Sequence, residues 1–137
     1  MFKVEDIFLL NKEMFFKFDS IIPPMDAWWL DTPKSKLYKG HFANYKNDVY
    51  VCYHGEHTGI GIRPAIKVTG LKAEKMPGEK IKLFGYGSNT WTVLICLNSF
   101  TYLLYDEVIQ NGFQFAGEDW FDDKLKCWIK NELYNRL

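Results

Sequence analysis

Apolar residues occur in short runs along this chain, and Gly, Pro and Asn clusters separate the runs. Ile7-Phe8-Leu9-Leu10 is an unbroken apolar run that predicts a buried strand. Asn11 follows as a helix cap, and Met14, Phe15 and Phe18 give the apolar spacing of one helix face through residue 18. Pro23-Pro24 closes that unit, because a proline removes a backbone donor and restricts the residue before it. Ala27 to Leu30 predicts a second strand. The polar, basic stretch Lys34 to Gly40 reads as an exposed loop. Polar and apolar residues alternate from Asp48 to Tyr53, as a half-buried strand requires, and the Gly-rich turn region Gly55 to Gly61 leads into a strand from Gly61 to Val68.

Gly70 to Glu79, with Pro77-Gly78, reads as a connector between two halves. Beyond it Ile81 to Tyr86 and Trp91 to Leu97 predict strands joined by hairpin residues Gly85, Gly87, Ser88 and Asn89. Phe100 to Leu104 follows Asn98-Ser99 as a third strand. Asp106 to Ile109 predicts the start of a short helix that breaks at Asn111-Gly112. The last segment has the clearest helical period: Asp122 or Asp123 caps it, and Leu125, Trp128, Ile129 and Leu133 form one stripe. Strands and helices together predict an α+β class, with small mixed or antiparallel sheets and two to three helices. The chain reads as a single domain over 1–137, with halves 1–68 and 81–137 around the connector 69–80.

Composition adds that 137 residues, 47% hydrophobic and 18% aromatic, suffice for one packed core and leave some rings for the surface. Seventeen basic residues balance seventeen acidic ones, so no global field steers the chain onto phosphate, and nucleic acid is disfavoured. Charge is still segregated: Lys67, Lys72, Lys75, Lys80 and Lys82 share one stretch, and Asp106, Glu107, Glu118, Asp119, Asp122 and Asp123 another, each read as a solvated face. No apolar run reaches membrane-spanning or signal-peptide length, which excludes a membrane partner from the reading. Three cysteines without CxxC spacing, Cys52, Cys96 and Cys127, suit a reducing compartment, and the expected location is a bacterial cytoplasm.

Two runs carry a family likeness. Trp28-Trp29-Leu30-Asp31-Thr32-Pro33 and Gly61-Ile62-Arg63-Pro64-Ala65-Ile66 resemble the WWLRSP and GVRPAL motifs of an uncharacterised bacterial and phage domain family. Ile7 to Glu13 is similar to its FLLS-x-x-E element, and Trp91 to Leu94, Tyr102 to Leu104 and Trp120 to Ile129 are similar to its second-half elements. In that family the W-x-VL half comes first, so the resemblance implies a circularly permuted order here. It also implies a C-type-lectin-like fold in which two helices flank a sheet. Asp31 and Thr32 stand where the family has Arg and Ser, which reverses a charge beside the tryptophan pair.

Candidate chemistry is sparse. Cys52, His54 and His57, with Glu56 between and His41 earlier, form the densest group of possible metal ligands, but C-x-H-x-x-H matches no established zinc spacing. Cys96 and Cys127 sit in apolar surroundings that suit core thiols better than nucleophiles. The carboxylates at 118–119 and 122–123 have a sufficient use as helix caps. Gly85-x-Gly87 lacks the rest of a dinucleotide loop. Arg63, one of two arginines, is expected to pair with a carboxylate and fix the fold. Strand alternation sends Trp28 and Trp29 to opposite faces, one into the core and the other to the surface or beneath a loop.

No catalytic residue and no cofactor are therefore expected. The sequence favours a non-enzymatic protein-binding module acting through Tyr38, His41, Phe42, Tyr45, His57 and Trp91. Its rivals are a phage-encoded inhibitor of a host defence system and a metal-dependent enzyme or sensor on Cys52, His54 and His57. Partner identity is unspecified, and a homo-oligomer stays open.

Overall fold

The computed structural model describes residues 2–32, 36, 38–53, 60–71, 75–83 and 89–109, with 38 and 39 described through their backbone. Among these residues there are eight strands and one helix. The strands are β1 (Lys3–Phe8), β2 (Trp28–Trp29), β3 (Tyr38–Ala43), β4 (Val49–Tyr53), β5 (Ala65–Thr69), β6 (Lys80–Lys82), β7 (Thr90–Leu97) and β8 (Phe100–Tyr105). The helix, α1, is Lys12–Phe18. They form a five-stranded sheet in the order β1-β5-β8-β7-β6 and a three-stranded sheet β2-β3-β4. Every pairing of these strands is antiparallel.

This corrects the expected fold class. Among the described residues the architecture is predominantly antiparallel β with one helix, not α+β with two to three helices, and the two flanking helices of a lectin-like arrangement are not found there. The helix expected from Asp106 does not form. Asp106 and Glu107 make a bend, and Ile109 exchanges both backbone hydrogen bonds with Ile62, at 2.7 and 3.0 Å. A helix at that point would forfeit this pairing. The terminal helix expected over 122–133 lies outside the described residues.

The large sheet divides two cores. Along β5 the period of two sends Ile66 and Val68 to one cluster and Ala65 to the other. In β8, Leu103 and Leu104 are both fully buried, on opposite faces. Two covered faces explain why Phe100 to Tyr105 reads as an apolar run without alternation. In β7 the register slips between Val93 and Ile95, so the extra residue Leu94 lies with Ile95 on the second face, and Cys96 returns to the first. Burying a side chain such as Leu94 contributes about 1.5–3 kcal/mol.

The helix covers the second face. Asn11 Oδ1 accepts the Met14 backbone N–H at 2.7 Å, which satisfies one of the unpaired donors of the first turn. Phe15 and Phe18 are buried one turn apart, and Phe15 meets Trp28 edge to face with centroids 5.5 Å apart. The β7–β8 hairpin turns on Asn98 and Ser99, both at positive φ, as a two-residue turn between right-twisted strands needs. Pro77-Gly78 forms the turn before β6, where Gly78 takes a φ of 87° and donates to the Val93 carbonyl at 2.7 Å. The Lys80-Ile81-Lys82 edge carries charge that discourages further strand pairing.

Tyr38–Ala43 is a strand where a loop was expected through residue 40. It escapes sequence reading because Lys34, Lys36, Lys39 and Gly40 give its first half the composition of a loop, while Phe42 packs against the first core and Ala43 belongs to the second.

Candidate interaction site

The two motif runs pack against one another. Trp29 N donates to the Gly61 carbonyl and Gly61 N to the Ala27 carbonyl, each at 3.0 Å. Alternation sends Trp28 to the second core and Trp29 to the first, and both are buried, so neither is a surface ring. Thr32 is buried too, donating to the Leu30 carbonyl and accepting the His41 backbone N–H, both at 2.9 Å.

Arg63 lies at the centre of this junction with no exposed surface. Its Nε donates to the Tyr105 carbonyl at 2.6 Å and its Nη1 to the Pro23 carbonyl at 2.8 Å. Nη2 faces Asp106 Oδ1 at 3.6 Å, and the guanidinium carbon stands 5.1 Å from the Trp28 ring centroid. Burial pushes its pKa down to about 10, while the nearby charge of Asp106 pulls upward, so the group stays cationic at neutral pH. Asp106 also accepts from Lys80 at 2.7 Å and from the Thr92 hydroxyl. The expected carboxylate partner of Arg63 is thus Asp106, and the group ties β5, β6, β7 and β8 to the 23–24 segment.

An open cleft of about 370 Å³ lies outside this node, lined by Met25, Asp26, Asp106, Glu107 and Val108. Of its lining carboxylates, Asp106 already has both oxygens engaged, by Lys80 and Thr92. No group of three or more His, Cys, Asp and Glu side chains among the described residues is placed to hold a metal ion. Cys52 is fully buried, with Sγ 3.8 Å from the Tyr53 carbonyl, while His54 and His57 lie outside the described residues. Cys96 is half-buried, its Sγ 3.1 Å from the Lys75 carbonyl.

The expected contact residues divide. Trp91 is not a surface ring: it is fully buried and packs on Tyr105 with centroids 4.9 Å apart. The glycine-rich segment before it suggested exposure, but pairing with Tyr105 in β8 turns the ring into the first core. His41 and Phe42 are neighbours in β3 and so point to opposite faces of the small sheet. Phe42 shares its face with Tyr50 and Trp29, whose ring centroids lie 6.1 and 6.4 Å away. The opposite face carries His41 across from Val51. Burial first, and the positive charge of Lys12 second, lower the His41 pKa below 6.5, so the ring is neutral at pH 7. Tyr38 pairs with Tyr53 through its backbone.

What the structure does present is the β3–β4 hairpin. Tyr45 at its turn, and Tyr50 and Tyr53 on β4, are 64%, 52% and 56% exposed. Tyr50 and Tyr53 were not singled out by sequence reading. Their odd spacing holds the clue, because two tyrosines three apart on one strand face opposite sides and cannot share one buried face. The turn itself is built rigidly. Asn44 Oδ1 accepts the Lys46 and Asp48 backbone N–H groups, each at 2.9 Å. Asn47 adopts a left-handed φ of 59° and donates its side-chain amide to the Ile22 carbonyl at 2.8 Å. Lys46 Nζ lies 5.5 Å from the Tyr45 ring centroid.

No protein-family model, curated protein or solved structure matches the chain. The functional reading therefore comes from its own geometry.

Proposed function

We propose that the chain is a non-enzymatic protein-binding module whose contact element is the β3–β4 hairpin, with Tyr45, Tyr50 and Tyr53 as anchors. The observation that carries this is three tyrosines more than half exposed within nine residues, on a hairpin fastened to the body through Asn47 and Ile22. Tyrosine brings large contact area with few rotatable bonds, and a turn already held in place loses little further freedom on binding. Arg63, whose guanidinium is enclosed and bound to two backbone carbonyls, serves the fold and not the contact surface. The likeness of the WWLDTP and GIRPAI runs to an uncharacterised bacterial and phage family names no activity, and the proposal rests on the surface.

Affinity capture from a bacterial lysate with the unaltered chain and with a Tyr45→Ala/Tyr50→Ala/Tyr53→Ala variant tests it. The variant should lose at least tenfold in retention, as anchor residues worth about 2 kcal/mol or more would dictate, and keep a cooperative unfolding transition. Equal capture by a folded variant would remove the hairpin from the contact.

A further inference from the structure

We propose that residues 23–26 form a strap held closed jointly by Asn47 of the hairpin turn and by Arg63, so that the geometry of the turn controls the cleft beside Asp106. This coupling is internal to the molecule and does not depend on what the hairpin binds.

Both ends of the strap are fixed. Ile22 is buried in the second core, and its N–H bonds the Phe18 carbonyl at 3.2 Å. At the other end the Ala27 carbonyl accepts the Gly61 N–H at 3.0 Å. Between them Pro23 and Pro24 have no N–H to give, and among the described residues no backbone-to-backbone hydrogen bond holds 23–26. Pro24 and Asp26 are exposed. Two side chains from distant elements fasten the stretch instead, through successive carbonyls: Asn47 Nδ2 donates to Ile22 and Arg63 Nη1 to Pro23, each at 2.8 Å.

The two fastenings are mechanically linked by the proline pair. The Ile22 and Pro23 carbonyls belong to consecutive peptide units that meet at the Pro23 Cα. Its φ is fixed by its own ring, and its ψ is restricted by the ring of Pro24. The two carbonyls therefore turn together, and losing the donor on one loosens the other. The closed position also carries a cost. Asn47 Oδ1 and Arg63 Nη2 are buried without a hydrogen-bond partner, Nη2 standing 3.6 Å from Asp106 Oδ1. Two hydrogen bonds opposed by two unpaired polar atoms describe an element that opens locally, with the rest of the fold intact.

What opens is the cleft. Met25 and Asp26 of the strap form one of its sides, and Asp106, Glu107 and Val108 line it from the segment after β8. Arg63 reaches both sides, through the Pro23 carbonyl and through Asp106. A displaced turn at Asn47 thus reaches the cleft by way of Ile22 and Pro23.

Arg63 supplies an internal control, because its Nε is bonded to the Tyr105 carbonyl of β8 at 2.6 Å and not to the strap. The test follows, by NMR on the full chain, solvent exchange of the Arg63 Nη1 and Nε protons and the Met25 methyl resonance. It compares the unaltered chain with Asn47→Gly and Asn47→Asp, both of which tolerate the left-handed φ of 59° and lack the side-chain donor at neutral pH. In both variants Nη1 exchange should quicken about fivefold, the effect of one net hydrogen bond on an opening equilibrium, while Nε exchange stays unchanged and the Met25 methyl shifts. Equal acceleration at Nη1 and Nε would mean general loosening of the fold and would overturn the strap. Unchanged Nη1 exchange would overturn the link to Asn47, and so would an effect confined to Asn47→Gly, which would trace it to backbone freedom. A Met25 methyl that stays in place would overturn the control of the cleft.

Discussion

Of the cations that sit over aromatic rings among the described residues, Arg63 and Lys46 behave oppositely. Arg63 lies over Trp28 with no exposed surface, bound to two carbonyls and facing Asp106. Lys46 lies over Tyr45 on an exposed turn. The pairing chemistry is the same, yet the first joins elements of the large sheet, and the second decorates an element already held by Asn44 and Asn47. Such a pair takes its role from what else reaches it. At Arg63 every neighbour is protein, so its energy belongs to folding. At Tyr45 one side of the ring faces solvent, so further energy is available only to a partner.

The largest test of this contrast is Arg63→Met. Removing the guanidinium leaves the Tyr105 and Pro23 carbonyls without their side-chain donors and Asp106 without its buried counter-charge, although Lys80 remains. Loss of one partner from a buried pair costs about 3–5 kcal/mol. Urea unfolding should therefore show a large fall in midpoint, and a loss below about 1 kcal/mol would erase the distinction between the two sites.

That role of Arg63 was legible from sequence, since a lone arginine before a proline in an apolar strand has few uses besides pairing. The Asn11 cap, β4, β7 and β8 were legible for local reasons: a capping side chain, alternation, and a turn sequence between apolar runs. What was not legible depends on partners distant in the chain. Asp106 had the look of a helix start, but Arg63, Lys80 and Thr92 recruit its carboxylate, and Ile62 recruits the backbone of Ile109. Trp91 looked exposed until Tyr105 became its strand partner. Tyr38–Ala43 hid because its start, beside Lys34, Lys36, Lys39 and Gly40, has the composition of a loop, and its pairing with β2 and β4 is set by distant residues. Among the described residues the α+β expectation loses the helix from Asp106, because long-range pairing of Ile109 with Ile62 overrides the local signal.

On the hairpin side the corresponding test is Asn47→Ala. Alanine at a φ of 59° is strained, and the Ile22 carbonyl loses its donor, for a combined cost of about 1–2 kcal/mol. Asn47→Gly should recover part of this, because glycine accepts the backbone conformation without restoring the hydrogen bond. Denaturation of both variants sharpens the comparison: it measures how firmly the contact element is fixed before a partner arrives. Partner affinity should fall more in Asn47→Gly than its stability loss alone implies, since a freed turn must be ordered again on binding.

His41 stands between the two regions and gives a smaller effect that reads as a pH dependence. Its folded pKa lies below the ordinary 6.5, chiefly through burial and secondarily through Lys12. Between that lowered value and 6.5 the unfolded chain binds more protons than the folded one, so stability declines as pH falls below about 6.5. His41→Gln should flatten this part of the profile. Lys12→Gln should raise the imidazole pKa followed by NMR and reduce the slope, while leaving the larger desolvation effect in place. A slope unchanged by His41→Gln would assign the acid sensitivity to another group.

The smallest stability effect is expected at the exposed pair itself. Lys46→Ala removes the cation over Tyr45 and should change folding stability by no more than about 0.5 kcal/mol, because solvent replaces the contact. Partner affinity should nonetheless drop. At Arg63 the order of effects is reversed: folding fails first, and any loss of binding follows from it. A Lys46→Ala variant destabilised as much as Asn47→Ala would place the Tyr45–Lys46 pair among the elements that hold the turn. Tyr45 would then be a fold residue that happens to be exposed, and the contact surface would shrink to Tyr50 and Tyr53 on β4.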